Sequence, residues 1–260
     1  MILNVLDKKI RQAFSDAAFQ YEALTSLHNE IGRELVKKLT PIEQNEVILD
    51  LGMGTGRFTK KLGFYFPESK IVGMDFADGM IAQAKAKDGS FSIVQADAKG
   101  LPIKKGSVDI LTSNLAFQWF GNLESVFAKC HDVLRPNGIL SITLFGYHTL
   151  NELFTSLEQT SENEQIFPVQ RLARFEEIKA AIEKCNFTDI KINYERIKVR
   201  FQDLFELIKW TKEIGANALY KEAYIGKEWL QRANEYYLAN FKDRFGALAT
   251  LEVIWLDAKR

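Results

Sequence analysis

Val47-Ile48-Leu49-Asp50-Leu51-Gly52-Met53-Gly54-Thr55-Gly56 is an apolar strand that takes in an acid and runs straight into three glycines spaced by single residues. Glycine costs no Cβ clash at positive φ, so the chain can turn tightly here and let its backbone approach a ligand closely. A helix over Phe58 to Phe66 follows and would aim its unpaired N–H groups at that ligand. This is a nucleotide-cofactor signature. The dinucleotide fingerprint places its third glycine three residues after the second, where this chain has Arg57, so NAD is disfavoured. Asp50, close to the strand's carboxyl end, is placed to meet a positive group. S-adenosylmethionine carries two, a sulfonium and an amino group.

Working outward, apolar runs alternate with helical patterns, the signature of a doubly wound α/β sheet. Strands are expected at about Val47–Leu51, Lys70–Asp75, Phe91–Gln95, Val108–Ser113 and Gly138–Phe145. A helix over Glu176–Cys185 leads to a strand at Ile190-Lys191-Ile192, and Thr250–Asp257 supplies the last. The reading is one domain over residues 1–260 with a Rossmann-like seven-stranded sheet. Two helical stretches, residues 8 to 38 and 202 to 242, have no place in such a sheet and are expected to form a lid.

The strand ends carry polar groups. Asp75 closes the second strand nineteen residues after Gly56, where a ribose diol needs an acceptor. Asp97, after the third strand, is placed to accept from an adenine amine. Asn114 ends the fourth, at the crevice that the strand order of such sheets opens. With Gly52, Gly54, Gly56 and Asp50, these residues and the neighbouring Met80, Ala98 and Leu115 make up the expected cofactor site.

Composition sets the outer limits. The 260 residues include thirty-four basic and thirty-four acidic ones, so no net field favours nucleic acid. Cys130 and Cys185 are the only cysteines and show no metal-binding spacing, which suggests neither a zinc site nor a disulfide framework and fits the reducing cytoplasm. No signal-peptide core and no membrane-spanning stretch is evident. A monomer is expected.

The motifs Leu49 to Gly56, Gly73-Met74-Asp75, Asp97 and Leu134-Arg135-Pro136-Asn137-Gly138 together resemble those of the class I S-adenosylmethionine-dependent methyltransferases. Met53 stands where that family usually has a small residue or cysteine. A narrower resemblance rests on Asn114-Leu115-Ala116-Phe117-Gln118-Trp119, Phe145 to Leu153, Lys209 to Asn217, and the opening Ile10 to Phe14 with Tyr21-Glu22. These look like the malonyl-acyl carrier protein O-methyltransferases that start biotin synthesis. Tyr147-His148 departs from the turn common there.

The resemblance implies methylation of the free carboxylate of malonyl-acyl carrier protein, or malonyl-coenzyme A, to give the methyl ester that primes pimeloyl synthesis. A carboxylate is ionised at neutral pH, by analogy with side-chain carboxyls near pKa ~4, so no general base is needed. Anion and sulfonium cancel their charges as the reaction proceeds, so walls that exclude water favour it. Tyr21, Phe117, Trp119, Trp210 and Tyr224 are the expected walls. Arg171 matches an arginine often present in that family and is the first choice to meet the carboxylate, with Arg174 and Lys209 in reserve. His148 is a candidate hydrogen-bond partner of the thioester, whereas His28 and His131 read as structural. Lys8, Lys9, Arg11, Lys209, Lys212, Lys221 and Lys227 are a candidate basic rim for an acidic carrier protein. Two other readings stay open: a methyltransferase of another carboxylic acid or a quinone, and a cofactor-binding module without catalysis.

Overall fold

The protein is described from a computed structural model covering residues 5–39, 46–87, 91–162, 172–216 and 226–260. The glycine-bearing strand β1 (Val47–Leu51) lies mid-sheet between β2 (Lys70–Asp75) and β4 (Val108–Asn114), parallel to both. β3 (Ser92–Gln95) extends the sheet beyond β2, and β5 (Leu134–Phe145) extends it beyond β4. β8 (Gly246–Lys259) runs antiparallel to β5, and β6 (Thr188–Phe201) closes that side. The order is therefore β3-β2-β1-β4-β5-β8-β6. The order in which strands are added reverses between β1 and β4, which opens a crevice at their carboxyl ends.

Two details correct the expectation. The two residues of β7 (Lys242–Asp243) pair with the start of β8, giving eight strands among the described residues where seven were expected. β6 and β8 are also fourteen residues each, far longer than their short apolar patterns suggested.

Strand parity builds a core on each face. Ile48, Ile110, Leu251 and Val253 face one side, while Leu49, Leu51, Leu111, Ile254 and Leu256 face the other. On the first side lie α3 (Ser26–Lys38), α4 (Arg57–Tyr65), α7 (Asn151–Gln159), α9 (Leu204–Glu213) and α10 (Lys227–Phe241). On the second lie α6 (Leu123–Val133) and α8 (Phe175–Glu183). Side chains cap two of these helices: Asn122 accepts from Ser125 N–H before α6, and Asp203 accepts from Glu206 N–H before α9.

The segments expected to form a lid divide. α3 buries Ile31, Leu35 and Val36 against the sheet, and α10 buries Ala233 and Tyr237, whose hydroxyl donates to Leu248 O at 2.7 Å. These helices pack their apolar faces into the core on the first side of the sheet. What lies over the crevice is α1 (Val5–Ala17), the single turn α2 (Tyr21–Leu24) and the end of α9. α1 is tied to α5 (Asp78–Lys85) by a two-bond pair, Arg11 Nε to Asp78 Oδ2 at 3.0 Å and Nη2 to Oδ1 at 2.8 Å. It lies so close that a Cβ at Gly79 would sit 2.2 Å from Ser15 O. α2 is joined to α9 by Trp210 Nε1, which donates to Leu24 O at 3.0 Å.

Met53 is buried against Ile81 and Ala84, and Gly73 makes room for it, since a Cβ there would lie 2.3 Å from Met53 Sδ. Gly73→Ala should therefore destabilise the fold by about 1–3 kcal/mol, and Met53→Ala in the same chain should recover part of that loss. Urea denaturation of the two single variants and the double variant measures the coupling, and additive losses would mean the two side chains do not compete for this space.

Candidate active site

The glycine loop is held to β2 by backbone groups and one carboxylate. Gly52 N–H and Met53 N–H both donate to Met74 O, at 2.7 and 3.0 Å. Gly54 N–H donates to Asp75 Oδ2 at 2.9 Å, and Ala77 N–H donates to Asp75 Oδ1 at 2.9 Å. Burial raises the Asp75 pKa, and the backbone N–H groups pull the other way. Gly54 has φ +56°, and a Cβ there would come no closer to any atom than Met80 Sδ at 3.8 Å, so the loop leaves open space beside it.

That space is the mouth of a cavity. Gly52, Gly54, Asp75, Met80, Asp97, Ala98, Asn114 and Leu115 line it on the sheet side. Asp7, Ile10, Phe14 and Tyr21 close it from α1 and α2, with Trp119 beside them. Asp97 Oδ1 accepts from Lys99 N–H at 2.9 Å, while its Oδ2 is buried with no hydrogen-bond partner among the described residues. A buried carboxylate oxygen without a donor costs free energy until a ligand supplies one. An adenine amine is such a donor, so Asp75, Asp97 and the loop beside Gly54 fit an S-adenosyl group.

A second cavity abuts the first through Phe14, Tyr21, Leu115 and Trp119, which line both. Its further walls include His28, Phe145, Leu150, Trp210 and Ile214. Leu115 holds a left-handed backbone (φ +58°) on the shared wall, its N–H donating to Thr143 O at 3.0 Å. Strain of this kind gathers at functional sites. Burial pushes the Tyr21 hydroxyl up to about 12, with Arg57 opposing and Asp75 adding to the shift, so Tyr21 is a donor and not a base near neutral pH.

Several expected residues lie elsewhere. Asp50 does not line the cavity: parity turns it to the face opposite Leu51, where it accepts from Thr59 Oγ1 at 2.6 Å. Its other oxygen is buried without a partner among the described residues. Gly56 also lies off the cavity, pressed so tightly that a Cβ would sit 2.9 Å from Phe91 Cζ. Asn114 reaches the cavity wall, but its amide donates to His28 O at 2.9 Å and its oxygen accepts from Thr143 at 3.0 Å. Phe117 is fully buried between Phe120 and Phe127, a core residue and not a cavity wall. His148 lines neither cavity: its N–H donates to Glu252 Oε2 at 3.1 Å and its ring meets Tyr147 edge-on. Arg171, Asn217, Lys221 and Tyr224 lie outside the described residues. Arg174 is exposed over the Tyr147 ring, 3.8 Å from its centroid, and Lys209 faces Glu213 at 3.8 Å, so neither reserve cation stands in the second cavity. Arg11, expected on a basic rim, is committed to Asp78.

Other contacts were not expected. Arg57, where a dinucleotide site has glycine, donates to Glu22 O at 3.0 Å and Thr25 O at 2.8 Å, binding the loop to α2. Thr55 donates to Glu22 Oε1 at 2.5 Å, and Lys87 pairs with the same carboxylate. Burial lifts the Glu22 pKa, but the bonds from Lys87 and Thr55 outweigh it and hold the group below the usual range. Asp7 pairs with Lys99 across the cavity mouth. Asp7, Ile10 and Phe14 fall on one helix face by their spacing.

A methyltransferase-domain profile matches residues 49–142, the stretch from β1 to β5 that carries the glycine loop, Asp75, Asp97 and Asn114. The malonyl-[acyl-carrier protein] O-methyltransferase 1 of Coxiella burnetii is 30% identical over 252 residues, covering 95% of this chain and 85% of that protein. The chain belongs to this family. The malonyl-[acyl-carrier protein] O-methyltransferase of Gallionella capsiferriformans is 30% identical over 266 residues, covering 96% of this chain and 90% of its own length. Among solved structures, the YcgJ protein of Bacillus subtilis is similar at TM-score 0.64 with 13% identity, covering 89% of this chain and 98% of its own. Phosphoethanolamine N-methyltransferase 2 of Haemonchus contortus, solved with S-adenosylmethionine, is similar at TM-score 0.59 and 19% identity over 94% of this chain and 56% of that one. At these identities the two structures share the fold.

Asp50 has a measurable consequence. Burial pushes its pKa from the ordinary 3.8 up to about 7, opposed by the Thr59 hydrogen bond and helped by the charge of Asp75. Between these values the unfolded chain releases the proton and the folded chain keeps it, so this group's contribution to stability falls as pH rises from about 4 to about 7. Asp50→Asn keeps an acceptor for Thr59 and cannot ionise. Its melting temperature should gain on the native chain by on the order of 5 °C between pH 4.5 and pH 8. A difference that stays constant across this range would show that Asp50 ionises in the folded chain as it does in the unfolded one.

Proposed function

We propose that this chain transfers a methyl group from S-adenosylmethionine to the free carboxylate of a malonyl thioester carried on acyl carrier protein. The observation that carries the reading is the pair of abutting cavities, one with an acidic cradle and the other with aromatic walls, together with membership of a family whose members bear this activity in their names. Bound S-adenosylmethionine supplies an electrophilic methyl group on a sulfonium. Asp75 and Asp97 would hold its ribose and adenine, and the backbone beside Gly54 would allow its close approach.

The residues of this chain then position and desolvate. The carboxylate arrives ionised and needs no proton removed, which agrees with a second cavity whose described walls carry no Asp, Glu, Lys or Arg. Tyr21, Phe14, Trp119 and Trp210 exclude water where two opposite charges are to cancel. Holding the reactants in line supplies on the order of 7–11 kcal/mol of the barrier reduction. In this reading α1, α2 and the end of α9 are the lid, since together they close both cavities.

Incubation with S-adenosylmethionine and malonyl-carrier protein should add about 14 daltons, one methyl for one proton, to the carrier. Asp75→Ala should lose this activity and bind cofactor about tenfold or more weakly by calorimetry. Unmodified carrier protein with the native chain would sink the reading, and unchanged cofactor affinity in the variant would move the cradle elsewhere.

Closure has its own readout. With S-adenosylhomocysteine and a malonyl-thioester analogue bound, amide exchange in α1, α2 and α9 should slow by about tenfold or more, while β1 is protected throughout. Equal exchange with and without ligands would mean these helices are a fixed wall.

A further inference from the structure

Among the described lining residues of the second cavity, His28 is the one with a buried side-chain nitrogen that has no hydrogen-bond partner. Gln118 donates to Leu115 O at 2.8 Å and accepts from Phe145 N–H at 3.3 Å. Thr149 is bonded both ways to the Glu252 backbone, at 3.3 and 3.1 Å. Thr211 donates to Ile208 O at 2.8 Å, and Trp210 donates to Leu24 O. His28 differs. It is 7% exposed, it is one of the residues lining the cavity, and its Nδ1 is buried with no partner among the described residues.

Its place is fixed by neighbours that make no hydrogen bond to the ring. Asn114 holds the His28 backbone oxygen, and the rings of Tyr21 and Phe145 stand edge-on to the imidazole at 6.1 and 5.5 Å between centroids. Tyr21 also lines the cofactor cavity, so His28 sits one ring away from the shared wall. A merely structural histidine at this depth would be expected to have its buried nitrogens satisfied, because an unmade buried bond costs about 1–3 kcal/mol.

We propose that His28 is a substrate-binding residue, its imidazole donating one N–H to an oxygen of the malonyl group in the second cavity. The proposal rests on the functional reading above and names the group that meets its substrate. A malonyl thioester offers only acceptors, two carboxylate oxygens and a carbonyl, so the ring serves as donor. Burial, helped by the nearby Arg57 charge, lowers the imidazole pKa to about 3, so the ring is neutral in the working range. A neutral donor suits this reaction. A full cation would stabilise the carboxylate most before its charge is spent, whereas catalysis rewards contacts that do not favour the ground state.

The test uses the whole protein with malonyl-carrier protein. His28→Leu should raise KM for the carrier substrate about tenfold or more, with a smaller change in kcat and an S-adenosylhomocysteine affinity within about twofold of native. His28→Gln, which restores a neutral donor, should recover most of the lost KM. A native KM in the leucine variant, or a glutamine variant as impaired as the leucine one, overturns the proposal. Should the leucine variant fail to fold, nitrogen-15 spectra of the native chain decide: the His28 ring signals should move when a malonyl-thioester analogue joins the S-adenosylhomocysteine complex, and unmoved signals overturn it. A native chain that makes no methyl ester refutes the functional reading instead, and the same ring signals still show whether His28 meets the malonyl group.

Discussion

The site is organised around the Asp75 carboxylate. It takes one N–H from the glycine loop and one from the start of α5, so a single side chain fixes the two segments between which a cofactor would lie. Without it, Gly54 would have no reason to stop where the backbone leaves open space. The cost is a charge held away from water, which backbone donors offset in part. Asp50, on the neighbouring strand β1, feels that charge, which adds to the effect of its own burial in raising its pKa.

The sequence was most legible where backbone conformation limits the choice of residue. The glycine loop, Asp75 and Asp97 follow from strand ends and turns, and all line the cavity or shape it. It was less legible where the question is which way a side chain points. Asp50 precedes Leu51 by one residue, so parity alone puts the two on opposite faces, and attention to its charge obscured that. His148 and Phe117 likewise lie away from the cavities: the His148 ring meets Tyr147 while its backbone N–H donates to the Glu252 carboxylate, and Phe117 stacks on Phe127.

His28, Phe14 and Asp7 were the least legible as parts of the site, because the helices that bear them precede the sheet in the chain and reach the site only by tertiary packing. α3 gives its apolar face to the core and a histidine to the cavity, two uses of one helix that a periodic pattern cannot separate. The helical stretches expected as one lid divide for the same reason. Ile31, Leu35 and Tyr237 find partners on the sheet, whereas α1, α2 and the end of α9 lie over the crevice.

β6 has a bearing on how these molecules meet one another. It is the last strand of the sheet, fourteen residues long, and most of its side chains are exposed. A free edge of that length offers a ladder of amide groups to any extended chain, including the edge of another copy. Here the edge carries Lys191, Glu195 and Lys198, with Arg196 paired to Glu252 and Arg200 to Asp243, so a second β6 aligned beside it would have to strip charged groups of water. Charged groups on an outermost strand are one way proteins blunt an open sheet edge.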